Sequence, residues 1–72
     1  MNKTKKIINF LNTNNIKYYA IHSKNVTIIS FLNKSGWRVT ITIPDNSDVF
    51  TVNKFIQEGF DSDKITDILE VL

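Results

Sequence analysis

The chain switches between helical and strand-like spacing of its apolar residues. From Thr4 to Asn12, Ile7, Ile8, Phe10 and Leu11 fall at helical spacing, and the Asn-rich stretch Asn12 to Asn15 closes this first helix. Ile16 to Ser23 then alternates around two tyrosines, Ser23-Lys24-Asn25 reads as a turn, and Val26 to Leu32 is a β-branched run of central-strand length. Asn33-Lys34-Ser35-Gly36 forms a hairpin loop, with Gly where a positive φ is expected. The cleanest alternation follows: Val39, Ile41 and Ile43 share one face, Arg38, Thr40 and Thr42 the other, and Pro44 stops the strand. Three strands joined by short turns predict an antiparallel meander.

Beyond the polar loop Asp45 to Asp48, Val49, Val52, Phe55 and Ile56 recur at helical spacing, and Gly59 stands where a helix C-cap would. The spacing predicts a second helix here, with extended backbone at Phe50 and Thr51 as the alternative and Phe60 as the contact that accompanies a helix-ending Gly. Asp61, Ser62 or Asp63 can cap a third helix, whose Ile65, Ile68, Leu69 and Leu72 form one stripe. The expected architecture is α+β in the order α-β-β-β-α-α: a three-stranded antiparallel meander packed against helices.

Length makes this a single domain spanning residues 1–72, with little core to divide. The absence of cysteine excludes disulfides and thiolate metal sites. No apolar run reaches the length of a membrane span, and the Lys-rich start is not followed by a signal-peptide core, so no membrane association and a cytoplasmic location are expected. Asn, Lys and Ile supply 28 of the 72 residues, the usage AT-rich codons produce.

Charge is polarised despite a net value of only +2. Residues 1–44 hold seven basic side chains and no acid, whereas residues 45–72 hold seven acids and two lysines. Lys3, Lys5 and Lys6 crowd the start of the first helix, where the macrodipole disfavours cations by about 0.3–1 kcal/mol each, so helix stability does not account for them.

Candidate chemistry is sparse. His22 is the only histidine and has no acid within twenty positions, which reads as a structural or surface residue rather than a catalytic one. Asp63, Asp67 and Glu70 would line one side of the third helix, but they lie off its apolar stripe as a solvated face does, and no metal site, cofactor or catalytic residue is assigned. No phosphate-cradling Gly-rich loop or nucleophile elbow occurs. The chain is therefore read as a non-enzyme.

The second strand is apolar on both faces, with Val26, Ile28 and Leu32 on one and Ile29 and Phe31 on the other. One layer of helices covers one face. Ile29 and Phe31 are the expected dimer face, unless Tyr18, Tyr19 and Trp37 shield them or helices cover them.

Two resemblances arise from these residues. The run from Gly36-Trp37-Arg38-Val39-Thr40 through Pro44, then Thr51 to Phe60, resembles the HicA-type toxins of toxin–antitoxin pairs, which implies a double-stranded-RNA-binding-like α-β-β-β-α order and mRNA interferase activity. The family's Gly-Ser-His motif is missing: the matching stretch reads Lys24-Asn25-Val26-Thr27, so the resemblance implies an inactive member, and His22 inherits no nuclease role. The order of elements, with Val52-Asn53-Lys54-Phe55-Ile56, also resembles small phage anti-CRISPR proteins that block the effector nuclease of type II systems. That likeness implies a phage or mobile-element protein acting in the host cytoplasm.

The leading functional expectation is a small non-catalytic inhibitor that binds a protein partner, a host nuclease or defence complex, through an acidic face of Asp61, Asp63, Asp67 and Glu70. The alternative is RNA or single-stranded nucleic-acid binding, with Lys3, Lys5, Lys6, Lys17, Lys24 and Arg38 on phosphates and Tyr18, Tyr19 or Trp37 as stacking faces.

Overall fold

The computed structural model describes residues 2–54 and 58–72. The first helix, α1, spans Lys3–Thr13 and buries Ile7 and Leu11. Asn2 caps it, its side-chain oxygen accepting the Lys5 amide at 2.8 Å, a bond of about 1 kcal/mol. Its other end is a Schellman motif. Asn15 takes the left-handed conformation (φ 59°), its amide reaches the Asn12 carbonyl, and the Ile16 amide reaches the Leu11 carbonyl at 3.0 Å. Ile16 then packs against the core, the apolar contact typical of this motif.

Five strands follow: β1 (Tyr18–Ser23), β2 (Val26–Leu32), β3 (Arg38–Pro44), β4 (Phe50–Lys54) and β5 (Glu58–Ser62). All pair antiparallel with their sequence neighbours, giving a sheet in the order β1-β2-β3-β4-β5. A 3-10 helix, Ile65–Val71, ends the described chain. The α+β class, the antiparallel meander and the first three strands match expectation. In the loop between β2 and β3, Gly36 sits at φ 87°, and Asn33 Oδ1 accepts both the Ser35 and Trp37 amides.

The predicted second helix does not form over its described part. Val49 and Val52 fit helical spacing, but Phe50 and Val52 also fit the strand period, and the β-branched Thr51 and Val52 favour extended backbone. The open edge of β3 decides between the two periods. As β4, this segment fills that edge in the register Ile41↔Val52 and buries Phe50 and Val52, while Val49 is left exposed. Phe55 and Ile56, the other members of the predicted stripe, lie outside the described residues. Gly59 is no C-cap but a strand residue opposite Asn53, whose Oδ1 lies 2.1 Å from where a Cβ would stand. Phe60 lies across from Val52 and is partly exposed.

The third helix is present in a tighter form, and this changes its buried stripe. With about three residues per turn, Ile65, Ile68 and Val71 align, and Leu69 rotates off the core. Val71 is 5% exposed and Leu69 55%, the reverse of the expectation from a 3.6-residue period. Lys64 occupies the N-cap without a side-chain cap bond. Ser62, two residues earlier, accepts the Lys64 amide at 3.0 Å and donates its hydroxyl to the Asp67 carboxylate.

Both helices lie over one face of the sheet, where Ile7, Leu11, Ile29, Phe31, Val39, Ile41, Ile43, Phe50, Val52, Ile68 and Val71 form a single core. Ile29 and Phe31, expected as a dimer face, are 0% and 1% exposed at its centre. The two-sided pattern of β2 was real, but the helices cover the other side of it: Ile28 and Leu32 are the residues left in solvent.

Candidate binding surface

The uncovered face of the sheet is assembled by the pairing register. One row crosses all five strands through Ile21, Ile28, Thr42, Thr51 and Asp61; the next runs Tyr19, Ser30, Thr40, Asn53 and Gly59; Leu32 and Arg38 form the start of a third. The surface is therefore graded. Apolar side chains occupy β1 and β2, short hydroxyl and amide groups the middle, and a carboxylate the β5 end.

Tyr19, Ile21 and Leu32 are 73%, 64% and 56% exposed, and Ile28 joins them between β1 and β3. These side chains neighbour one another on one face of the sheet, unlike the singly scattered hydrophobics that any protein surface carries. Arg38 bends over the polar middle, its Nη1 donating to Ser30 Oγ at 3.2 Å. Beside the patch, a groove of about 810 Å³ opens where the end of α1, the start of β1 and the β2–β3 loop meet. Tyr18, Tyr19, Leu32, Lys17 and Lys34 are among the residues lining it.

The predicted acidic face is not brought together. Asp61 belongs to the open sheet face and accepts the Thr51 hydroxyl at 2.6 Å. Asp67 is half-buried and held by Ser62, while Glu70 is exposed on the 3-10 helix. Asp63 is exposed beside Lys3, whose Nζ donates to the Asp63 backbone carbonyl at 2.8 Å. Among the described residues no cluster of three or more potential ligands could hold a metal ion.

The predicted basic set divides as well. Lys3, Lys5 and Lys6 lie on α1, in the layer that covers the opposite face of the sheet. Lys17 and Arg38 lie near Tyr19, the first in the same groove and the second bonded to Ser30 opposite it, while Lys24 sits past the far end of β1. Trp37 is partly exposed at the end of the β2–β3 loop. Tyr18 points the other way and packs against the core.

Sequence reasoning missed Ile21, Ile28 and Leu32 as surface residues and did not include Lys34; the signal for Ile28 and Leu32 was the assignment of β2's two faces, which the helices' side decides, and Ile21 follows Ile28 through the β1–β2 register. It also missed the partner of His22, whose Nε2 lies 3.1 Å from Asp45 Oδ2. Asp45 is far in sequence, but Pro44 pairs with Val26 and the Asp45 amide reaches the Asn25 carbonyl at 2.8 Å, which sets its carboxylate beside the end of β1. Both side chains are well exposed, so water screens this pair as it does other surface ion pairs.

Among the described residues no helix is long and apolar enough to cross a membrane. The expected order α-β-β-β-α-α is met through its first helix and three strands, after which two further strands and a 3-10 helix follow, and Val52-Asn53-Lys54 belongs to a strand. In comparisons with known proteins, no family model, no curated protein and no solved structure matches the chain.

Proposed function

We propose that this chain is a small non-catalytic binding protein that docks a protein partner on the open face of its sheet. The carrying observation is the contiguous exposed group Tyr19, Ile21, Ile28 and Leu32 on a face that neither helix covers. Tyr and Arg are the residue types enriched at interface centres, and Arg38 and Lys17 edge the patch, so the fitting partner is apolar at its middle and acidic at its rim. An inhibitor of a host nuclease or defence complex remains a role that such a domain can fill. In this reading it acts through the sheet rather than through an acidic helical end, because Asp61, Asp63, Asp67 and Glu70 do not share one surface.

The test compares two variants as baits in a host lysate, with the retained protein quantified by mass spectrometry. Ile21→Asp combined with Leu32→Asp is expected to lose a stoichiometric partner that the wild type retains. Asp63→Lys combined with Glu70→Lys is expected to keep it. The opposite pattern would return the binding site to the acidic residues.

One observation favours a second reading. Tyr19 and Arg38 converge on Ser30 from neighbouring strands, placing a stacking face beside a guanidinium on an open sheet. Single-stranded nucleic acid held there would lose about 0.7 log units of affinity per log of salt for each phosphate neutralised. Tyr19→Ala and Arg38→Ala would each weaken it in a fluorescence-anisotropy titration.

A further inference from the structure

The two edges of the sheet are built differently. β5 carries the exposed Asp61, and charge on an edge strand opposes pairing with another chain. β1 reads Tyr-Tyr-Ala-Ile-His-Ser, without an acid, a lysine or a proline, and five of its six residues are exposed. Its inner side is paired with β2 throughout, in the register Tyr18↔Phe31 to Ser23↔Val26. Its outer side presents main-chain donors and acceptors over the length of a typical strand.

We infer that β1 is a self-pairing edge: a second copy of the chain adds to it antiparallel about a two-fold axis, joining two five-stranded sheets into one. The register follows from geometry. The two-residue connection Lys24-Asn25 makes Ser23↔Val26 a hydrogen-bonded pair, so Ser23, Ile21 and Tyr19 spend their backbone groups on β2. The amides and carbonyls of Tyr18, Ala20 and His22 then point outward. A two-fold axis perpendicular to the sheet keeps each face on its own side, so it must pass through a residue and not between two. Centred on Ala20, it pairs Ala20 with Ala20 and Tyr18 with His22 in both directions, and every outward group finds a partner, about six main-chain bonds in all.

The side chains agree with this register. Ala20, the smallest residue of the strand, meets its own copy at the axis, where a larger side chain would meet itself. On the open face Tyr19 falls opposite Ile21 of the second copy, twice, an aromatic–β-branched pairing of the kind that stabilises sheets. Each copy's exposed patch then continues across the seam into the other. Lys17 and Lys24 fall outside the paired segment, with their ammonium groups able to reach solvent. The contact is isologous and closes at two copies, because the acidic β5 edges do not extend it. A strand-to-strand seam of this size buries less surface than a permanent interface, so association belongs in the micromolar range.

The intact chain is the test object. Sedimentation equilibrium from micromolar to millimolar protein should show the mass rising from 8.3 kDa towards twice that value. Ala20→Lys, which sets two ammonium groups face to face at the axis, should stay monomeric with an unchanged circular dichroism spectrum. Because the chain has no cysteine, single introduced thiols report the register without interference. Ala20→Cys should oxidise to a disulfide dimer at least about tenfold faster than Ile21→Cys, whose own copy lies beyond disulfide reach in this register. A wild type that stays at 8.3 kDa throughout, a dimeric Ala20→Lys, or equal oxidation of the two thiol variants each overturns the inference. None of these readouts depends on the partner proposed for the open face, so the two readings fail separately.

Discussion

Thr51 donates its hydroxyl to Asp61 at 2.6 Å, bridging β4 and β5 on the open face of the sheet. The bond joins a residue at the start of the predicted second helix, where extended backbone was the alternative, to a candidate cap of the third, and it helps hold the outermost strand. Asp61→Ala is expected to cost about 1 kcal/mol, a moderate loss because the pair is exposed to water. Urea denaturation should show a lower midpoint with an unchanged slope.

The two faces of β2 should respond oppositely to charge. Phe31→Asp and Ile29→Asp each bury an unpaired carboxylate in the core and are expected to abolish the folded state. Ile28→Asp and Leu32→Asp place the same group in solvent and should leave the far-ultraviolet circular dichroism spectrum native. Folded Phe31→Asp protein would mean that the helices cover the other face.

The 3-10 helix makes a similarly direct prediction, because its period selects Val71 and rejects Leu69. Val71→Ala should cost about 1–2 kcal/mol in thermal or urea unfolding, and Leu69→Ala should change stability by less than about 0.5 kcal/mol. An α-helical turn over the same residues would reverse that order.

Asn15 gives a fourth test, of local backbone structure. It holds a left-handed backbone that a β-carbon disfavours, and Asn tolerates it better than most residues. Asn15→Val should destabilise by about 1–2 kcal/mol, while Asn15→Gly should be neutral or slightly stabilising. Differential scanning calorimetry of the pair separates the backbone effect from any side-chain contact.

Much of the first half of this fold was legible because each element there carried a single period. Ile7, Ile8 and Leu11 together match only a helix, Val39, Ile41 and Ile43 only a strand, and Asn and Gly stand at the left-handed turn positions. The second half was ambiguous at its root. Val49 and Val52 fit one period, Phe50 and Val52 another, and what selected the strand was the unfilled edge of β3, a partner that no local window contains. The 3-10 helix failed more narrowly: its existence was readable, but a shift from 3.6 to about three residues per turn exchanged Leu69 for Val71. The binding surface depended on a binary choice. Sequence gives β2 two apolar faces, and only the placement of α1 and the 3-10 helix decides that Ile28 and Leu32, rather than Ile29 and Phe31, meet solvent. The acidic and basic sets were predicted from position along the chain, and folding distributed each over both layers.

The meander also sets the order in which the molecule can assemble. Every strand pairs with the strand just before or after it, so each hairpin closes over a short loop at small entropic cost. The two ends of the described chain meet where Lys3 reaches the Asp63 carbonyl and the 3-10 helix meets α1, and the Lys34 amide reaches the Leu72 carbonyl at 3.3 Å. A chain emerging from the ribosome can therefore zip its sheet progressively, hairpin by hairpin, with α1 waiting over an incomplete core. In that order the seven-residue 3-10 helix is the last element to bring its buried Ile68 and Val71 to the core.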